Sequence, residues 1–238
     1  MAEYYPGGSQ AFRVCLCYDF SMTRQTTAAI VCMVVFAVVP ASAIQLMLDR
    51  RALEEAIYIG QSRIESERTR FHVPYRVRVA QPPIDWIDVI TPFHRVELAA
   101  EMNARSGRRQ FGQREALETL GSVPEQIDLL IEMTFHPLNT FVAVPSYQVE
   151  VILPGGRRLA TRRIDRYPRF GPRPESPGPA LPVPNASPVF GGGQPVVGGT
   201  MVAVLDGSML DPKQRVDVVV MDGKTELART AVDLGKMR

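Results

Sequence analysis

Gln126-Ile127-Asp128-Leu129-Leu130-Ile131-Glu132-Met133-Thr134-Phe135 is the stretch that decides the fold class. Ile127, Leu129, Ile131, Met133 and Phe135 are spaced two apart, with Asp128, Glu132 and Thr134 on the other parity. Successive side chains of a strand point to opposite faces, so this spacing describes a ribbon with one face on a core and one in water. After a link carrying Pro137 and Pro145, the period resumes as Tyr147, Val149, Val151 and Leu153, with Gln148 and Glu150 outward. Two half-buried strands joined in this way predict an antiparallel pair.

Upstream, Tyr75, Val77 and Val79 alternate with Arg76 and Arg78, and Ile84 to Ile90 follows Pro82-Pro83 with Trp86 near its middle. Val96, Leu98 and Ala100 alternate with Arg95 and Glu97 before the pattern turns helical. Gln113 to Leu120 reads as a short helix with Ala116, Leu117 and Leu120 on its apolar side, stopped by Gly121. Leu46 to Arg70 predicts a longer amphipathic helix, with Asp49 as N-cap and a thin stripe of Leu53, Ile57, Gly60 and Ile64. So narrow a stripe suits a helix lying on a sheet edge or a partner.

Downstream, Pro154-Gly155-Gly156 marks a turn, and Arg157 to Asp165 is expected to return as the hairpin partner. Nine of the 20 prolines fall between Tyr167 and Gly199, which predicts an extended loop over 167–199. Met201 to Leu205, Val216 to Met221 and Glu226 to Leu234 read as three short strands, the last two joined by Asp222-Gly223-Lys224. Asp206-Gly207 marks a further turn. The expected fold is mainly β: an immunoglobulin-like antiparallel β-sandwich over 71–238, with an N-terminal amphipathic helix over 44–70 and a short second helix. The cysteine and tryptophan spacing of true immunoglobulins is missing.

The N-terminal region carries the strongest functional signal. Ala28 to Val39 is twelve residues without a polar side chain, preceded by Arg24 and followed by Pro40-Ala41-Ser42-Ala43. A basic start, an apolar run and a small-x-small site at Ala41 and Ala43 make a secretory signal peptide, with cleavage after Ala43. Counted back, a start at Met22 gives a signal of ordinary length over 22–43 and leaves 1–21 as an upstream extension. An uncleaved anchor over 28–48 is the competing reading, but Pro40, Ser42 and Gln45 interrupt it where a bilayer span needs about 20 predominantly apolar residues. Cleavage would remove Cys15, Cys17 and Cys32, so the exported chain would have no disulfide, thiol nucleophile or thiolate ligand. Membrane contact then requires residues 28–48 to stay attached.

Few residues point to chemistry. Ser62, Ser66, Ser106, Ser122, Ser146 and Ser208 lack the surroundings of a nucleophile elbow. Asp85 and Asp88 flank Trp86 but have opposite strand parities. His72, His94 and His136 each follow a phenylalanine, and no two are separated by one, three or four residues. On strand parity His94 shares the face of Val96 and Leu98 while His136 lies on the face opposite Phe135, so convergence, and with it a metal or another cofactor, is not expected. The triplet Asn185-Ala186-Ser187 has the form of a glycosylation acceptor, but Pro188 disfavours its use.

A net charge of +2 implies no polyanion partner by itself. The local exception is Arg157, Arg158, Arg162, Arg163, Arg166, Arg169 and Arg173, opposed within that span only by Asp165 and interleaved with Tyr167 and Phe170. Guanidinium groups bind phosphate and carboxylate in bidentate fashion, so an anionic envelope polymer is a conceivable partner. Nucleic acid is disfavoured by export. The expectation is a secreted or periplasmic, non-catalytic structural or interaction module whose partner is a protein or that anionic polymer. Its alternatives are a hydrolase or metal-dependent enzyme with a site assembled from distant residues, and a membrane-anchored adaptor.

Overall fold

The computed structural model describes residues 43–107, 111–171 and 195–238. All three cysteines, Ala41, the apolar run, Arg173 and the Asn185 triplet lie outside them, as does the upstream extension. The chain is mainly β with four helices among the described residues. In order these are α1 (Arg50–Gly60), α2 (Glu65–His72), β1 (Arg76–Gln81), β2 (Ile84–Ile90), α3 (Pro92–Arg105), α4 (Gln113–Leu120), β3 (Gln126–Thr134) and β4 (Gln148–Ile152). They continue as β5 (Arg158–Ala160), β6 (Arg163–Phe170), β7 (Val196–Asp206), β8 (Arg215–Asp222) and β9 (Thr225–Asp233). No helix among the described residues is long and apolar enough to cross a membrane.

The strands form two antiparallel sheets, one in the order β1-β2-β3-β7-β6 and the other β5-β4-β8-β9. Their apolar parities feed one core, with Ile87, Leu129, Ile131 and Met201 from the first sheet and Val149, Val151, Val218 and Val232 from the second. Every second residue of β3 is buried along Ile127, Leu129, Ile131 and Met133, as the period requires. The helices between and before the strands build a second apolar cluster, in which Leu53 and Ala56 of α1 meet Phe93, Val96 and Ala100 of α3 and Ala116 and Leu120 of α4.

Several expectations are corrected. β3 and β4 do not pair: β3 lies between β2 and β7, and β4 between β5 and β8 in the other sheet. Alternation shows that each strand has one buried face but not which neighbour it takes. Arg157 to Asp165 is not one return strand, because β5 pairs with β4 while β6 pairs with β7 in the opposite sheet. The ends of the proline-rich interval are strand, not loop: Tyr167 faces Thr200, Pro168 faces Gly199 and Arg169 faces Gly198. Pro168 is tolerated because β6 is an edge strand, where one side of the backbone has no ladder to serve. β7 consequently starts at Val196, five residues before the expected Met201.

The expected helix over 44–70 is two helices. Asp49 does cap α1, its side chain accepting from the Ala52 backbone N–H at 2.7 Å. The helix ends at Gly60, where the Gln61 N–H turns back to the carbonyls of Ile57 and Ile59. Ser62 then engages the Ile64 N–H and the Glu67 carboxylate, a local side-chain alternative to helix. Ile64, expected on the buried stripe, is exposed, and α1 packs on α3 instead of a sheet edge. Val96 to Ala100, expected as strand, belongs to α3.

Candidate functional site

α3 begins where the chain leaves β2. The Thr91 hydroxyl accepts from the His94 N–H at 3.2 Å as N-cap, and Pro92 stands in the first turn, where its missing N–H costs nothing. Thr91 also donates to the Arg238 carbonyl, which the Tyr75 hydroxyl reaches at 3.2 Å. With α3 started there, His94, Glu97 and Glu101 follow at spacings of three and four and share one helix face. His72, the last residue of α2, is brought against that face.

The His72 Nδ1 and His94 Nε2 atoms are 3.0 Å apart. His94 Nδ1 lies 3.1 Å from the Val89 carbonyl, an acceptor only, so that nitrogen carries the hydrogen and Nε2 presents a lone pair to His72. His72 Nε2 is 3.1 Å from Glu101 Oε2 and 3.7 Å from Glu97 Oε1. Arg68 and Arg105 pair with the other Glu101 oxygen at 3.0 and 2.6 Å. Glu97 is fully buried, at 0% exposure, and neither of its carboxylate oxygens has a hydrogen-bond partner among the described residues. The Tyr75 ring lies over His94, with centroids 4.0 Å apart.

These surroundings separate the titrations. Burial pushes the Glu97 carboxyl up to about 8, reinforced by the charge of Glu101 and opposed by Arg68 and Arg105. Burial likewise lowers His94 to about 4, against the Val89 hydrogen bond. For Glu101 burial acts upward, but the His72 hydrogen bond and the Arg105 charge outweigh it and leave the carboxyl below its usual range. His72 and His94 also line an open cavity of about 500 Å³ together with Arg76, Asp88, Leu98 and Leu130. Its wall holds the bidentate pair of Arg76 with Asp88, at 2.7 Å for each contact.

The expectation that the histidines do not converge therefore fails for His72 and His94, which two helices bring together across 22 residues of sequence. Over Arg95 to Ala100 three apolar positions two apart, Val96, Leu98 and Ala100, suggest a strand and mask the helical spacing of His94, Glu97 and Glu101. That i, i+3, i+7 pattern was the available signal. His136 stands apart, exposed after β3, its Nδ1 accepting from the Leu138 N–H at 3.2 Å.

The arginines of the basic cluster lie along β5, β6 and their connection. Arg158 pairs with Glu150 at 2.7 Å, Arg163 with Asp165 at 2.9 Å, Arg169 with Glu132 at 3.4 Å, and Arg162 with Asp206. Arg166 is spent on backbone, donating to the carbonyls of Pro145 and Tyr147 at 3.2 and 2.6 Å. Arg157 is exposed at the turn before β5. Asp85 accepts from Thr134 at 2.7 Å and does not join Asp88. Comparison of the chain with protein-family models, curated proteins and solved structures gives no match.

Proposed function

We propose that this chain is an exported, immunoglobulin-like β-sandwich that works as a non-catalytic interaction module. The observation that carries the reading is strand order. An immunoglobulin sandwich sets strands A, B, E and D in one sheet and C, F and G in the other, with C′ beside C in the variable type. Taking β2 to β9 as A, B, C, C′, D, E, F and G, the orders β2-β3-β7-β6 and β5-β4-β8-β9 match A-B-E-D and C′-C-F-G. The chain departs from that plan by adding β1 outside the first strand and inserting α3 and α4 before the second. Loops at the ends of such sandwiches commonly carry recognition. Here the link from β3 to β4 exposes Leu138 and Val142, at 75% and 90% exposure.

For the partner we propose an anionic envelope polymer meeting the β5–β6 edge. Surface ion pairs are worth about 0–1 kcal/mol each, so carboxylates such as Glu150 and Asp165 can be exchanged for a polymer's phosphates or carboxylates. Replacing Arg157, Arg158 and Arg163 with serine leaves in place the donation of Arg166 to the Pro145 and Tyr147 carbonyls and of Arg169 to the Met133 carbonyl, and should abolish retention on heparin at low salt. Retention equal to that of the parent protein rejects the polymer and leaves a protein partner. The enzyme alternative is favoured by one observation, the convergence of His72, His94 and Glu97 beside a cavity. Turnover of ester or peptide substrates that stops with chelator would favour it over the module. The membrane-anchored adaptor instead predicts that the protein sediments with membranes through residues 28–48.

A further inference from the structure

We propose that His72, His94 and Glu97 bind a divalent transition-metal ion of the zinc class, through His72 Nδ1, His94 Nε2 and the Glu97 carboxylate. The inference is independent of the module reading, since such a site can brace a binding domain as well as serve catalysis.

Three features point to the cation. First, each imidazole is oriented by a contact at its other nitrogen. His94 Nδ1 donates to the Val89 carbonyl at 3.1 Å, and His72 Nε2 meets Glu101 Oε2 at 3.1 Å. Metal-binding histidines are held in this way, by a carbonyl or carboxylate behind the ring, which fixes the tautomer and aims the free lone pair. Second, His94 Nε2, an acceptor, faces His72 Nδ1 at 3.0 Å. What stands between the two nitrogens is either a proton carried by a doubly protonated His72 or a cation that both lone pairs ligate, and metal titration separates the two. Zinc-nitrogen bonds of about 2.0–2.1 Å in a tetrahedron put ligand atoms about 3.3 Å apart, so a small adjustment admits the ion. Third, His72, His94 and Glu97 can each offer one ligand atom within 4.8 Å of the other two, and Glu97 is the buried carboxylate whose oxygens lack a hydrogen-bond partner among the described residues. A buried carboxylate without donors is costly to leave uncompensated, and a coordinated cation supplies what the protein does not.

Two imidazoles and one glutamate form a ligand set known from zinc sites with an open fourth position. Since His72 and His94 also line the cavity, that position would be taken by solvent or a small ligand entering from there. Glu101 acts as a positioning residue through His72, and Arg68 and Arg105 hold it in place.

The test uses the full chain with Cys15, Cys17 and Cys32 alkylated so that no thiolate competes, stripped with chelator and titrated with Zn²⁺ and Co²⁺. One ion should bind per chain, raising the melting temperature, and Co²⁺ should give the intense visible bands of tetrahedral coordination. Glu97→Gln and His72→Ala should each weaken binding at least about tenfold, and Glu101→Gln by roughly 10- to 100-fold. His136→Ala should leave it unchanged. Glu97→Gln nearly keeps the side chain's volume, and His72 is partly exposed, so circular dichroism of the stripped variants separates lost ligands from lost fold. Should His72→Ala fail to fold, Glu97→Gln with the Co²⁺ spectrum decides. No stoichiometric binding, binding that survives Glu97→Gln and His72→Ala, or binding lost with His136→Ala would overturn the assignment.

Discussion

Glu97 and His94 make opposite demands on pH. The folded Glu97 carboxyl titrates at about 8 against an ordinary value of 4.5. The native chain therefore holds a proton that the unfolded chain releases, and this contribution declines as pH rises from about 4.5 to 8. Folded His94 titrates at about 4 against 6.5, so the native state binds fewer protons between those values, and stability is lost as pH falls through that window. The Glu101 charge acts on both groups, Arg68 and Arg105 act on Glu97, and His72 and Asp88 act on His94. In chelator the two slopes oppose each other between pH 4.5 and 6.5, leaving Glu97 to lower stability from 6.5 to 8. Urea unfolding at pH 6.5 and 8 should show this loss in the parent protein and largely abolish it in Glu97→Gln. A parent protein equally stable at both values would reject the protonated, buried Glu97. None of this is written in Glu97 alone: its neighbours two apart, Arg95 and Ala99, suit an outward strand position as well as a helix.

At the scale of elements, the site depends on how closely α1 approaches α3. A Cβ added to Gly60 would stand 2.3 Å from the Glu97 carbonyl oxygen and 2.9 Å from the Glu101 backbone nitrogen. Glycine in a helix is ordinarily a cost, and close backbone approach is the reason for it here. Gly60→Ala should therefore destabilise the protein by roughly 1–3 kcal/mol, since backbone and not a flexible side chain must give way. Thermal unfolding checks the stability, and altered amide exchange along α3 would show that the strain reaches Glu97. Gly60→Ala with unchanged stability would mean that α1 can slide on α3. Thr91→Ala should cost about 1 kcal/mol through the lost cap of α3, measured by the same unfolding. Local chemistry made several elements legible: Asp49 before α1, Gly121 after α4 with φ of +66°, and the Gly223 turn between β8 and β9. Where two periods overlapped, as at Val96 to Ala100, local pattern chose wrongly, because burial against α1 and α4 decides the helix.

For the whole molecule, two sheets close one core and a helical layer carries a second. Export predicts that a chain begun at Met22 and collected from the exported fraction starts at Ile44, and N-terminal sequencing settles it. A cytoplasmic product retaining Met22 would remove both export and the envelope partner. The sequence by itself determined that the chain is mainly β, which faces of its strands are apolar and where most turns fall, because these depend on period and on residues next to one another. It also specified the signal-like run and the absence of cysteine after Ala43. Only the tertiary structure decided that β3 and β4 belong to different sheets, that β6 crosses to β7, and that His72 meets His94 and Glu97. Those are choices among partners far apart in the chain, made by the shared burial of whole faces, and no local period encodes them.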